Sequence, residues 1–368
     1  MLAPAIAFDA TPLQNGHRYR GIGTYVRGLA DGLRRQVEIP IEFWGWAGPD
    51  LIDVPPPHRV VGLRRFPMPD YRGAWLFAQL AMRRRAATSN VRVVHITDPD
   101  ALTRLPQRTL LTTAYDLIPH KQGIPLRRLV ARLGYTAYLR ALRRADMVFA
   151  ISEYTASDLA DQLKIPRRRI VVARPGIDLP PGPADISTAG RPYFLFLGGP
   201  NPNKNLAVLI DAMASCPDLH EELIIAGHWL PKQIAQLDAE LDARAMRTRV
   251  RHIGFVPGAE LTGLMRRATA MVIPSWHEGF GLPVGEGLAA GALVVHSRIP
   301  VLIEVSAGAA MTFDPSSADE LAACLRRAAS DGGLAAQLRE LGVKRAEALT
   351  WDAAIEATLG VYRATLAR

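Results

Sequence analysis

A chain of 368 residues is too long for one ordinary core and fits two domains of about 150 to 200 residues each. Its 49% hydrophobic and 21% charged residues exclude a disordered, collagen-like or disulfide-stapled chain, and its two cysteines, Cys216 and Cys324, lack the spacing of a disulfide framework or a structural zinc site. The net charge of +9 is uneven: residues 1–183 hold 27 Lys+Arg against 15 Asp+Glu, a balance of +12, whereas residues 184–368 hold 17 against 20, a balance of −3. An anionic partner is therefore expected for the first half alone.

Short apolar runs alternate with amphipathic helical stretches, the pattern of an α/β protein whose parallel sheets are covered by helices. In the first half the spacing predicts strands at 4–8, 39–44, 91–96, 109–113, 147–150 and 170–172. The opening run reaches Asp9 with no basic start, so it reads as a strand and not as a signal peptide. No apolar run of about 18 residues suggests a membrane span, and a cytoplasmic protein is expected. A Pro/Gly-rich stretch at 179–192 reads as the linker, which places the domains at 1–185 and 186–368, with a last helix at about 350–368 able to cross back to the first domain. The second half predicts strands at 193–197, 223–226, 250–253, 270–273 and 293–296.

Ligands of open α/β sheets collect in the loops beyond the carboxyl ends of strands. After the first strand comes Arg20-Gly-Ile-Gly-Thr-Tyr-Val-Arg27, where Gly21 and Gly23 begin a G-x-G-x-x-G pattern that Val26 breaks. Without a true dinucleotide fingerprint an oxidoreductase is excluded. Asp98-Pro-Asp100 has the form of a D-x-D metal motif but reads as a turn, and His17, His95, His120 and His277 show no spacing that suggests a metal cage. Thr113-Ala-Tyr-Asp-Leu-Ile-Pro119 follows another strand, and Asp116 either orients a substrate or caps the next turn. Residues 124–144 form a basic amphipathic helix, either a solvated face or a seat for anionic lipid; Arg83 to Arg85 and Arg167 to Arg169 add to the same charge.

Two segments of the second half carry sharper chemistry. In Phe196-Leu-Gly-Gly-Pro-Asn-Pro-Asn-Lys-Asn205, Lys204 at a helix start is a point charge suited to a diphosphate leaving group. In Pro274-Ser-Trp-His-Glu-Gly-Phe-Gly-Leu-Pro-Val-Gly-Glu-Gly-Leu-Ala-Ala-Gly291, a glycine loop leads into a helix beginning near Pro283. The helix amino end can face phosphate with free N–H groups, while Glu278 and Glu286, eight residues apart, can accept hydrogen bonds from sugar hydroxyls.

This last segment is similar to the Glu-x7-Glu signature of the retaining, nucleotide-sugar-dependent glycosyltransferases of family 4, and the following Val295 to Glu304 and Phe313-Asp-Pro315 look like its continuation. The resemblance extends over nearly the whole chain and implies the GT-B fold, two Rossmann-like domains facing a central cleft. It also implies that Glu278 and Lys204 serve catalysis together with Asp116. Donor contacts would come from Gly21, Gly23, Lys204, Val256, Glu278, Gly279, Phe280, Gly281, Leu282 and Glu286, and Tyr115 and Asp116 would lie on the acceptor side. Family members commonly have His-Asp where this chain has Tyr115-Asp116, and an imidazole acid/base role does not carry over to a phenol that titrates near pH 10.

The resemblance thus implies a retaining hexosyltransferase of polysaccharide biosynthesis that needs no metal or cofactor. The Tyr-Asp-Leu-Ile-Pro segment resembles bacterial polysaccharide mannosyltransferases, so the expected donor is GDP-mannose, with a UDP-hexose as the alternative. The acceptor would be a glycan or lipid-linked glycan, with an anionic membrane surface as a further partner of the basic half and the protein peripheral at its inner face. A nonenzymatic nucleic-acid-binding protein is the competing class, but no recognition helix, zinc finger or RNP motif supports it.

Overall fold

The computed structural model describes residues 5–19, 21–48, 50, 52–64, 74–118, 129–182 and 190–368. Pro4, Arg20, Pro119, His120, residues 124–128 of the basic stretch and residues 183–189 around the expected domain boundary lie outside the described residues.

The chain divides into two compact units, one of residues 1–176 with 351–368 and the other of residues 177–350. The division falls before 185 because the first part of the Pro/Gly-rich stretch packs on the second unit. Ile177 N–H donates to the Leu349 carbonyl at 2.8 Å, and Thr262 Oγ1 donates to the Pro180 carbonyl at 3.0 Å.

Unit 1 holds a seven-stranded parallel sheet in the order β3-β2-β1-β4-β5-β6-β7, formed by β1 (Ile6–Asp9), β2 (Ile41–Trp46), β3 (Arg59–Leu63), β4 (Val93–Ile96), β5 (Thr109–Ala114), β6 (Met147–Ala150) and β7 (Ile170–Val172). Strands such as Ile-Ala-Phe-Asp and Val-Val-His-Ile are buried at every position, as expected when helices cover both faces. The sequence pattern missed β3, an edge strand that is mostly outside the core.

The closing helix Trp351–Leu366 belongs to this unit. Trp351 occupies the space a side chain at Gly28 would need, Ile355 does the same at Gly32, and buried Tyr362 meets His95 Nδ1 at 2.8 Å. Burial holds the His95 imidazole down to about 3, so it stays neutral in this network.

Unit 2 holds a six-stranded parallel sheet in the order β10-β9-β8-β11-β12-β13, formed by β8 (Tyr193–Leu197), β9 (Glu222–Ala226), β10 (Val250–Gly254), β11 (Ala270–Ile273), β12 (Val294–Ser297) and β13 (Met311–Phe313). Its core is built on Phe194, Phe196, Phe313 and the aliphatic residues of the covering helices. Burial of each such side chain is worth roughly 1.5–3 kcal/mol. In both sheets the strand order reverses once, between β1 and β4 in unit 1 and between β8 and β11 in unit 2, and each reversal opens a crevice at the carboxyl ends.

Candidate active site

The two sharper segments meet at the reversal point of unit 2. β8 ends in Gly198-Gly199-Pro200-Asn201, and the Asn201 side chain accepts from Asn203 N–H to set the short 3-10 turn Pro202–Lys204. Asn205 then adopts a left-handed conformation, φ 52°, before the helix Leu206–Ala214, which is one of the few non-glycine residue types that tolerate it. Beyond β11, the loop 275–281 is tied to this turn from both sides. Trp276 N–H donates to the Asn203 carbonyl at 2.9 Å, and Asn203 Nδ2 donates to the His277 carbonyl at 2.5 Å.

That clamp brings Lys204 Nζ to 2.7 Å from Glu278 Oε1. Ser275 Oγ donates to the same oxygen at 2.7 Å, and Ser297 Oγ, at the end of β12, supports Ser275 through its carbonyl. Glu278 is 12% exposed and Lys204 24% exposed, so the pair is sheltered yet reachable. Glu286 lies in the following helix, Leu282–Ala289; burial pushes its carboxyl up from the usual range, and the charge of Lys204 opposes that shift. Lys204 therefore acts on both carboxylates of the signature.

The glycine between them is dictated by geometry. Gly281 caps the helix at φ +94°, and a Cβ there would stand 2.4 Å from Leu302 Cδ2. The helix starts at Leu282, with Pro283 in its first turn, where a missing N–H costs nothing. Val284 and Gly285 N–H groups close back on the Gly281 carbonyl, and the buried Phe280 ring anchors the loop. Gly279, Phe280, Gly281 and Leu282 thus form one turn at the amino end of a helix. Val256 sits past β10, two strands away from β8 in the same row of carboxyl-end loops, next to Phe255, which is 69% exposed.

Sequence reasoning assigned no role to Ser275, Asn203 or Trp229. Trp229 Nε1 donates to the Gly198 carbonyl at 2.9 Å, and a Cβ at Gly227 would meet the same carbonyl at 2.3 Å. These residues shape the loops, and only their position beyond strand ends could have marked them.

In unit 1 the reversal point gathers a different set. Asp9, at the end of β1, accepts from Thr11 N–H and Oγ1 and from the N–H groups of Thr97 and Asp98. Asp98 accepts from Asn15 Nδ2 at 2.8 Å, from Asp100 N–H at 2.9 Å and from Thr11 Oγ1 at 3.3 Å. Both carboxyls are buried and both are raised; burial, then the charges of Asp9 and Asp100, pushes Asp98 up to about 8. Asp98-Pro-Asp100 is the expected turn, closed by Ala101 N–H on the Asp98 carbonyl. The turn nevertheless brings Asp98 and Asp100 together with His17, their ligand atoms within 4.8 Å of one another, a convergence the sequence spacing did not reveal.

Three expected unit 1 residues make local contacts or meet steric limits within the fold. Tyr115 is buried, donates to the Thr97 carbonyl at 2.9 Å and packs edge-on against Tyr25, and burial raises its phenol well above the usual value. Its hydroxyl is thereby engaged within the fold. Asp116 Oδ1 accepts from Ile118 N–H at 3.0 Å, the turn-capping arrangement. Gly23 is needed because a Cβ would lie 2.5 Å from the His17 carbonyl, whereas Gly21 is exposed at the start of helix Gly21–Leu33.

Residues 185–345 match the family described as Glycosyl transferases group 1, and residues 19–180 match Glycosyltransferase Family 4. The O-antigen chain mannosyltransferase B of Escherichia coli is 26% identical over 238 residues, 61% of this chain and 62% of that protein. A D-inositol 3-phosphate glycosyltransferase of Nocardioides sp. is 29% identical over 250 residues, 61% of this chain and 55% of its own length. The chain thus spans somewhat over half of these curated relatives. Among solved structures, sucrose-phosphate synthase from Thermosynechococcus elongatus superposes with a TM-score of 0.80 at 19% identity, over 99% of both chains. Anabaena HepE in complex with UDP and glucose superposes with a TM-score of 0.76 at 16% identity, over 98% of this chain and 99% of that one. These likenesses establish the shared fold. No described helix is long and apolar enough to cross a membrane.

Proposed function

The chain belongs to the family 4 type of glycosyltransferase and has the GT-B fold of two Rossmann-like domains, and from that premise we propose that it is a retaining hexosyltransferase that takes its sugar from a nucleoside-diphosphate donor held by unit 2. The observation that carries this reading is the Lys204–Glu278 pair at 2.7 Å, set where the β8 and β11 loops meet and beside the amino end of helix Leu282–Ala289.

Each part of that arrangement has a task in glycosyl transfer. Glu278 accepts hydrogen bonds from hydroxyls of the transferred sugar, and Glu286 accepts from the ribose. The turn 279–282 and Lys204 meet the diphosphate, whose negative charge grows as the bond to the anomeric carbon breaks. Lys204 exchanges part of its contact with Glu278 for phosphate oxygens. In the proposed front-face reaction the acceptor hydroxyl oxygen bonds to the anomeric carbon, the carbon–oxygen bond to the diphosphate breaks with its electron pair, and the leaving diphosphate takes the acceptor proton. The configuration is retained because attack and departure share one face.

GDP-mannose is the proposed donor, a choice supported by the O-antigen mannosyltransferase relative; a UDP-hexose is the second reading, supported by the likeness in fold to HepE with UDP and glucose. The acceptor is proposed to be a hydroxyl of a glycan or lipid-linked glycan, with the basic first half turned to an anionic membrane surface. No metal enters this scheme. Release of GDP or UDP from candidate sugar nucleotides, followed with and without EDTA, tests it. Turnover that persists in EDTA is expected, and strict metal dependence contradicts the mechanism.

A further inference from the structure

At the amino ends of β4 to β7, the opposite end of the unit 1 sheet from Asp98 and Asp116, lies a cavity of about 790 Å³. Arg92 enters it ahead of β4, Arg144 from the end of helix Leu129–Arg144, and Arg168 and Arg169 from the 3-10 turn that leads into β7. Asp146 is the acidic residue on its wall. A second recess of about 350 Å³ shares Arg92 and Asp146 and adds Arg108.

The hydrogen bonds separate these arginines by task. Arg169 is fixed by the carbonyls of Arg143 and Ala145, and Arg108 by those of Ala86 and Ser89. The side chains of Arg144 and Arg168 have no hydrogen-bond or ion-pair partner among the described residues, and Arg92 reaches only the Leu366 carbonyl, at 3.4 Å. Guanidinium groups do not lose their protons at physiological pH, so the five of Arg92, Arg144, Arg168, Arg169 and Arg368 face one cavity with Asp146 as its acidic side chain. Their mutual repulsion falls when an anion enters. Planar forks with free donors match phosphate oxygens in pairs.

We propose that this cavity is a phosphate-binding site separate from the donor site. Its volume lies in the range of small-molecule sites and leaves room for an organic portion beside a phosphate, which fits a phosphate ester supplied either by a soluble compound or by a phospholipid head group. The site accounts for part of the excess positive charge of the first half, which the donor chemistry of unit 2 leaves unused.

The test compares the full chain with its Arg144→Gln/Arg168→Gln double variant, without sugar nucleotide, so that its result does not depend on transferase activity. Both side chains are exposed, and equal melting temperatures without ligand are expected for the two proteins. Inorganic pyrophosphate is titrated calorimetrically, and co-sedimentation is measured with phosphatidylglycerol vesicles against phosphatidylcholine vesicles. Pyrophosphate held by the donor site binds both proteins alike, so only the difference between them reports the cavity. At least about tenfold weaker binding by the double variant is expected in one arm or both, from the loss of two charge-assisted contacts. Loss in the pyrophosphate arm alone assigns a soluble ester, and loss in the vesicle arm a lipid head group. Equal behaviour of the two proteins in both arms overturns the proposal.

Discussion

Both sheets gather carboxyl groups at the point where strand order reverses, but they surround them differently. In unit 1, Asp9 and Asp98 are met by Thr11, Asn15 and backbone N–H groups, with His17 Nε2 3.9 Å from Asp98, and burial raises both carboxyls. In unit 2, Lys204 pairs with Glu278 and its charge also opposes the burial of Glu286. The same topology therefore yields two kinds of site. Neutral donors organise the unit 1 loops around two carboxyls that burial raises, whereas in unit 2 a lysine stands beside Glu278 and opposes the upward shift of Glu286.

Changes at the Lys204–Glu278 pair should break this contrast most strongly. Glu278→Ala is expected to lower turnover by about 10³-fold or more, as the sugar loses its positioning, with the circular dichroism spectrum unchanged. Initial rates of nucleoside-diphosphate release measure it. Lys204→Ala should cost about 10²-fold in kcat through the leaving group and also push the Glu286 carboxyl further up, so donor affinity should begin to fall at a higher pH on acidification than in the parent protein.

Glu286→Ala acts mainly on binding. Loss of a charged acceptor for the ribose should weaken donor affinity by roughly 10- to 100-fold in a calorimetric titration. An unchanged affinity would remove Glu286 from the ribose. Gly281→Ala tests the turn itself: a left-handed φ and a 2.4 Å approach to Leu302 predict a loss of about 1–3 kcal/mol in urea denaturation.

A further test concerns unit 1. Asp98 titrates near 8 in the fold and near the ordinary carboxylate value when unfolded, so between about pH 4 and 8 the folded state holds a proton the unfolded state has released. Stability should accordingly fall as pH rises through that window and level off above it. Asp98→Asn, which cannot ionise, should flatten the slope in denaturation midpoints measured across the same range. An unaltered slope would mean that Asp98 is ionised throughout.

Much of unit 2 was legible because its chemistry is local in sequence. β8 and β11 are continuous apolar runs, and the loops after them announce Lys204, Glu278 and Gly281 by residue type and position. The direct bond between Lys204 and Glu278 was not legible, since it spans 74 positions and depends on Asn203 bridging two loops. Unit 1 was harder for the same reason. Asp9, Asn15, His17 and Asp98 come from separate segments that only the packing of β1 beside β4 unites. The Tyr115 ring carries no sequence sign that its hydroxyl is turned to the Thr97 carbonyl. The edge strand β3 and the short β13 lacked the continuous apolar run that marks a central strand.

The central claim is that unit 2 holds a nucleoside-diphosphate sugar through the Lys204–Glu278 site. The most direct measurement is thermal denaturation of the full chain and of its Glu278→Ala variant against GDP-mannose, UDP-hexoses and the free nucleotides, because a ligand stabilises only the state that binds it. The account predicts that one sugar nucleotide raises the melting temperature of the parent protein beyond its own nucleoside diphosphate, and that Glu278→Ala loses that extra increment while keeping the shift from the nucleotide. A panel in which no sugar nucleotide shifts the parent protein, or in which the variant retains the full increment, would contradict it.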